Sequence, residues 1–350
     1  MSISDTFRLR KVLVIELTRL GDVICDIPAI KALKKAHPSL NITILVEPFY
    51  KDILIRNPYI SRIFTFEKTN TILGLLTAIH KIREERFDLA ISLSPAKRNT
   101  LVTYFSRAKY KVGYFTLKSK FPGLDEVKVM SFGFKLKQNI CYKKNENLVE
   151  RALKPIRALG LNVNSYKKEI YIPETDKFYI RDYLQKLRKN QFLITIHPCS
   201  KWKFRNWPIE NYIKLINAIN DCDVFLLGTR KDKEIINEMI LKSDGNAHAI
   251  IGMPLLKVAA LIKHSNLFIG GDSGLLHIAD AVGVPIIGLF GPSNPEITGP
   301  LSKDVTIIKK EIPCSPCRQK KICAKNIKCM ELIKAEEVLK AVKEKLIPHN

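Results

Sequence analysis

Two doubly wound α/β halves in tandem, each built on a parallel sheet, are expected from this chain of 350 residues. Short apolar, β-rich runs alternate with helical segments over the first hundred residues. The alternation breaks over about 165–190, where the sequence turns polar, and resumes at 191. The length suits about two domains of ordinary size. A composition of 46% hydrophobic and 26% charged residues supplies apolar side chains for two cores.

KVLVIEL (11–17) is a continuous apolar run, as a buried parallel strand requires. PAIKALKKAH (28–37) predicts a helix opening at Pro28, with Ile30, Leu33 and Ala36 on one face. NITILVE (41–47) is the next strand, TILGLLTAIHKIREER a helix and DLAISLS (88–94) a strand. This first half is bounded at 1–165. A linker, 166–190, contains Pro173 and ends in a helical pattern. The second half, 191–334, runs strand 191–198, helix 208–219, strand 223–228, helix 232–242, strand 249–252, helix 255–264 and strand 267–271. A closing helix within 335–350 is expected to pack back on the first half.

Lys and Arg number 58 against 34 Asp and Glu, a formal charge of +24, which points to an anionic partner. Between Lys97 and Lys144 twelve basic residues meet two acids, Asp125 and Glu126, with aromatics such as Tyr104, Phe105, Tyr110, Phe121, Phe134 and Tyr142 among them. That mixture suits a surface meeting phosphates and apolar chains together. No run approaches the roughly twenty apolar residues of a membrane span, and the N-terminus lacks a clean signal sequence. A cytoplasmic protein touching the membrane from inside is the expectation. Four of the eight cysteines, Cys314, Cys317, Cys323 and Cys329, cluster with metal-like spacing that matches no standard zinc finger. Structural metal, packed thiols and a redox pair all remain open.

GGDSGLLHIADAVGVPIIGLFGPSNPEITGP (270–300) places polar groups at the ends of apolar runs. Asp272 or Ser273 is a natural N-cap, and Gly283 suits a left-handed C-terminal turn. The helix start offers free N–H groups on which a diphosphate can rest, at Ser273 and Gly274. Asp272 would repel a phosphate and suits capping or sugar hydroxyls. His277 lies one turn on, on the same face as Ser273. An ordinary capped helix would use the same residues.

RLGDVICDIP (19–28) is neither a dinucleotide fingerprint nor a P-loop. Gly21 permits a tight turn, and Asp22, after the first strand, fits a general base for an attacking hydroxyl. Its plain alternative is to cap the helix near Pro28 or to pair with Arg19. HPCSKWKFRNWP (197–208) gathers Ser200, Lys201, Lys203 and Arg205 in one loop, cations suited to a diphosphate leaving group.

Taken together, KVLVIELTRLGDVICDIPAIKALKKAHPSLNITILVEP, KFRNWP and the 270–300 stretch resemble the ADP-heptose:lipopolysaccharide heptosyltransferase family. CSPCRQKKICAKNIKCM resembles a tail of its second-heptose members. The resemblance implies a GT-B fold, two Rossmann-like halves facing across a cleft, and inverting transfer with no cofactor required. It places Asp22 as the base and Ser200, Lys201 and Arg205 at the donor diphosphate. Met253, Asp272, Ser273, Gly274 and His277 fall where the family holds nucleotide and sugar, and Asp232 where it serves the nucleoside. Arg205 stands where Lys is commoner, and Asp232 where Glu is usual. The implied partners are a nucleotide-sugar donor and an anionic lipopolysaccharide-core acceptor at the inner membrane face. A monomer without nucleic acid or transmembrane segment is expected. A nucleotide-sugar epimerase of similar fold and a non-catalytic basic binder of membrane surfaces or nucleic acid are the competing readings.

Overall fold

A computed structural model describes residues 9–67, 72–117, 126–132, 145–219, 221–244, 247–317, 323 and 326–346. The chain divides into two compact units, Met1–Tyr171 and Ile172–Asn350.

The first unit holds strands β1 (Lys11–Ile15), β2 (Asn41–Val46), β3 (Arg62–Thr65), β4 (Leu89–Ser92), β5 (Tyr110–Leu117) and β6 (Glu126–Phe132). Its main helices are α1 (Leu20–Ala36), α2 (Ile72–Glu84), α3 (Lys97–Phe105) and α4 (Leu148–Ala158). The sheet order is β3-β2-β1-β4-β5-β6. Strands β1 to β5 are parallel, while β6 pairs antiparallel with β5, so the expected all-parallel sheet ends in a reversed edge. A parallel neighbour needs a crossover of about a dozen residues or more, and only 118–125 separate the two strands.

Helix α1 starts at Leu20, not near Pro28, which lies inside it. Proline removes one backbone donor there. Val23, Ile24, Ile27, Ile30 and Leu33 nevertheless bury one after another, and the helix packs against α4. Packing outweighs the lost bond, and Asp22 consequently sits in a first helical turn instead of a loop. Leu13, Ile15, Leu45, Phe66, Ile82, Phe87 and Val102 form a core beside this sheet.

The second unit repeats the plan with β7 (Phe192–His197), β8 (Cys222–Gly228), β9 (Ala247–Ile251), β10 (Leu267–Gly271), β11 (Ile286–Phe290) and β12 (Val305–Lys309). All pairings are parallel, in the order β12-β11-β10-β7-β8-β9. Counted from the first strand of each unit, both sheets follow the dinucleotide-fold order 3-2-1-4-5-6. The helices are α5 (Glu174–Leu187), α6 (Ile209–Ala218), α7 (Lys233–Leu241), α8 (Leu255–His264), α9 (Gly274–Val282) and α10 (Ala335–Leu346). Helix α5 occupies most of the stretch expected as linker and packs on α8.

The closing helix α10 buries Val338, Ala341 and Val342 in the core of the second unit, beside Tyr212 and Leu215. Trp207, 2% exposed, donates from Nε1 to the Ile333 carbonyl at 2.8 Å and so ties the approach to α10 onto the start of α6. Its ring meets Tyr212 edge-on at 4.8 Å between centroids. Gly283 ends α9 at φ +78, the left-handed turn expected there.

Of the basic-aromatic stretch 97–144, residues 118–125 and 133–144, with Phe121, Phe134 and Tyr142, lie outside the described residues. Within the described part, α3 exposes Leu101, Tyr104 and Phe105. Among the described residues no helix is long and apolar enough to cross a membrane.

Candidate active site

In open α/β sheets, ligands bind beyond the carboxyl ends of the strands, where the strand order reverses. That point falls between β1 and β4 in the first unit and between β7 and β10 in the second. Each carries a group of polar side chains.

In the first unit, Asp22 accepts from Arg151 of α4 at 2.7 Å, the two side chains only 14% and 11% exposed. The pairing with Arg19 expected as an alternative is thus secondary. Burial alone would raise the Asp22 carboxyl, but the charge and hydrogen bond of Arg151 outweigh it and hold it below the ordinary value. Glu16, just beyond β1, is fully buried. Its Oε1 accepts from Thr18 N at 2.9 Å, from the Thr18 hydroxyl and from Asn99 Nδ2 at 3.2 Å. Asn99 opens α3, and its Oδ1 accepts from Leu17 N at 3.0 Å, fastening the end of β1. Asp26, one turn after Asp22 on α1, is also fully buried. Burial, then the nearby Glu16, push its carboxyl well above the ordinary range. Glu16 is raised too, by burial and then by Asp22. The sequence reading missed Glu16, Asp26, Asn99 and Arg151. The spacing of Asp22 and Asp26, four apart, would have exposed that pair had α1 been started correctly. Nothing local announces Arg151, which stands 129 positions from Asp22.

In the second unit, Arg205 and Asp272 form a buried ion pair, with Nη1 2.7 Å from Oδ2 and 3.1 Å from the Asp272 carbonyl oxygen. Thr298 donates to the same carboxylate oxygen at 3.0 Å. Asp272 is therefore tied to Arg205, not capping α9. Gly271 makes this possible, since a Cβ there would lie 2.9 Å from the Arg205 carbonyl oxygen. Ser273 is the N-cap residue by position, yet its hydroxyl meets His197 Nδ1 at 3.0 Å and makes no cap bond. Burial pushes His197 down to about 4, against the opposing charge of Asp232, so the ring is neutral. His197 and Thr298 were not foreseen. Gly274 begins α9, and His277 is buried at 3% exposure.

Ser200 donates its hydroxyl to the Trp202 carbonyl at 2.8 Å and its amide to Asn206 Oδ1 at 2.7 Å. Lys201 is exposed, and Met253 is half-buried in the loop after β9. Asp232 accepts from Thr229 N at 2.8 Å and Thr229 Oγ1 at 2.6 Å, a capping box at the start of the turn before α7. Cys314 and Cys317 are exposed, Cys323 is half-buried and Cys329 buried, all as free thiols. Among the described residues no three His, Cys, Asp or Glu side chains are gathered so as to hold a metal ion.

The family model of glycosyltransferase family 9 (heptosyltransferase) matches residues 75–328. Lipopolysaccharide heptosyltransferase 3 of Escherichia coli is 25% identical over 353 residues, covering 94% of this chain and 96% of that protein. Lipopolysaccharide core heptosyltransferase OpsX of Haemophilus influenzae is 23% identical over 292 residues, 82% of this chain and 80% of its own. The glycosyl transferase family 9 structure from Veillonella parvula superposes with a TM-score of 0.81 at 22% identity, covering 96% of this chain and 97% of that one. ADP-heptose lps heptosyltransferase II of E. coli gives 0.73 at 20%, covering 96% and 98%. The two α/β units are those of the GT-B fold. With most of its length matched, and with this fold, the chain belongs to glycosyltransferase family 9, the heptosyltransferase family.

Proposed function

We propose that this chain transfers a heptose from ADP-heptose to the inner core of lipopolysaccharide, inverting the anomeric carbon. The observation that carries the reading is Asp22, a carboxylate kept ionised by Arg151 at the end of the first sheet where a ligand belongs. The names of the relatives, lipopolysaccharide heptosyltransferases matched over most of this chain, support the substrate class.

In this reading the first unit binds the acceptor and the second the donor. Asp22 removes the proton of the attacking hydroxyl, which displaces ADP from the opposite face of the sugar in one step. Lys201 and Arg205 meet the diphosphate, with the N–H groups of Ser273 and Gly274 at the start of α9. Ser200 joins them at the diphosphate, and Met253, Asp232, Asp272 and His277 contact the rest of the donor. The neutral His197 ring fixes the Ser273 hydroxyl, turning the mouth of the helix toward an anion. No step requires a metal or cofactor. The protein works as a monomer at the inner face of the cytoplasmic membrane, and the exposed Leu101, Tyr104 and Phe105 beside the exposed Lys97 support the membrane placement.

Purified protein incubated with ADP-heptose and a heptose-deficient core acceptor tests the assignment by product mass and anomeric configuration. One added heptose with inverted linkage is expected. Turnover of a different nucleotide sugar, with ADP-heptose left intact, would remove the donor assignment. Asp22→Asn should lower kcat by about 10²–10⁴-fold with donor affinity nearly unchanged. Full turnover by that variant would strip Asp22 of its role.

A further inference from the structure

Three carboxyl groups and one guanidinium share the buried space behind Asp22. Asp22 and Asp26 are one helical turn apart on α1, Glu16 directly follows β1, and Arg151 comes from α4. Glu16 and Asp26 are each fully buried. Neither oxygen of Asp26 receives a donor, nor does Glu16 Oε2. Other charged and titratable groups facing this cluster are Arg19 and Tyr50, on the side of Asp22, and Cys25 of the same helix, on which Lys168 also acts.

Were all three carboxyls ionised, Arg151 would balance one, the donors of Thr18 and Asn99 would meet only Glu16 Oε1, and Asp26 would carry its charge in the core without a donor. That arrangement costs several kcal/mol per ion. One proton placed between Glu16 and Asp26 removes the difficulty, since it supplies the missing donor and leaves a single charge on the two. We infer that Glu16 and Asp26 hold one proton between them, and that this singly charged pair is a positioning unit for Asp22, acting with Arg151. The raised carboxyls of both residues agree with that assignment. A carboxylate matched to an arginine alone is a poor base. A second negative charge close behind it restores proton affinity while Arg151 fixes the geometry. The inference extends the reading of Asp22 as the base.

Infrared difference spectroscopy on the full chain at neutral pH reads the proton directly. The wild-type protein should show one buried carboxylic-acid C=O band, absent from both Glu16→Gln and Asp26→Asn. Absence of the band in wild type overturns the inference whether or not the variants fold. A band that survives either substitution overturns sharing. In activity, each single amide lowers kcat a few-fold but keeps the acidic limb of its pH profile, because one carboxylate remains. The double variant loses the charge, and the limb should move down by about one pH unit. A double variant with an unmoved limb would show that the pair does not act through Asp22. The spectroscopic band stands apart from the role of Asp22. If Asp22→Asn turned over fully while the wild-type band persisted, the base reading would fall and the shared proton would remain.

Discussion

Asp26 is the residue whose charge state reaches furthest into the behaviour of the protein. Its carboxyl is raised in the folded chain, so the fold favours the protonated form. Stability from that group is complete below its ordinary value of 3.8 and declines as pH rises through the folded value. Asp26→Asn needs no proton. Its advantage over wild type should therefore grow with pH from about 4 upward, by up to about 1.4 kcal/mol per unit until the folded value is passed. Denaturant unfolding at a series of pH values measures it, and a difference constant with pH would contradict the raised carboxyl. Asp22 has the opposite sign. Its lowered carboxyl contributes stability above 3.8 that is lost as pH falls through the folded value. At this scale the sequence singled out Asp22, Ser273 and Arg205, because each lies in a short stretch of unusual composition. It was silent on Arg151 and His197. Their roles arise from tertiary neighbours, Asp22 and Ser273, that the chain brings close only after folding.

Among elements, the strands were the most legible. A strand covered on both faces has to be apolar throughout, and LFIGG of β10 is buried at every position. Helix starts were less so. Pro28 marks a common first helical position, yet α1 had already run through two turns of buried side chains before reaching it. The reversed strand β6 was not foreseen, since the direction of an edge strand leaves little trace in its composition. The pairing of α6 with α10 was hidden for a similar reason, because Trp207 and Ile333 are 126 positions apart. Trp207→Ala should destabilise the second unit by about 3–5 kcal/mol, through the emptied volume and the lost bond to Ile333. Thermal unfolding followed by calorimetry will show it, and a change below about 1 kcal/mol would mean the ring is not the fastening described.

For the whole molecule, the formal charge of +24 is the property read most easily and placed least well. Much of the basic-aromatic stretch lies outside the described residues, but α3 presents Leu101, at 46% exposure, with Tyr104 at 52% and Phe105 at 43%, on a helix that opens with Lys97 and Arg98. Cations drawn to anionic headgroups and apolar side chains entering the interface predict two separable components of binding. Sedimentation with vesicles containing anionic lipid should show binding that weakens as salt rises. Leu101→Ser with Phe105→Ser should lower the fraction retained at high salt. Equal binding to neutral and anionic vesicles at low salt would refute the electrostatic component.

The fastening of Ile333 and α10 onto α6 also bears on how the polypeptide is made. A ribosome that has polymerised everything through β12 has produced a second unit with one side of its interior still open to water. The missing plug, Ala335–Leu346, has still to be made at that point. The first unit can close its core by then, but the second must wait for α10 to complete its own.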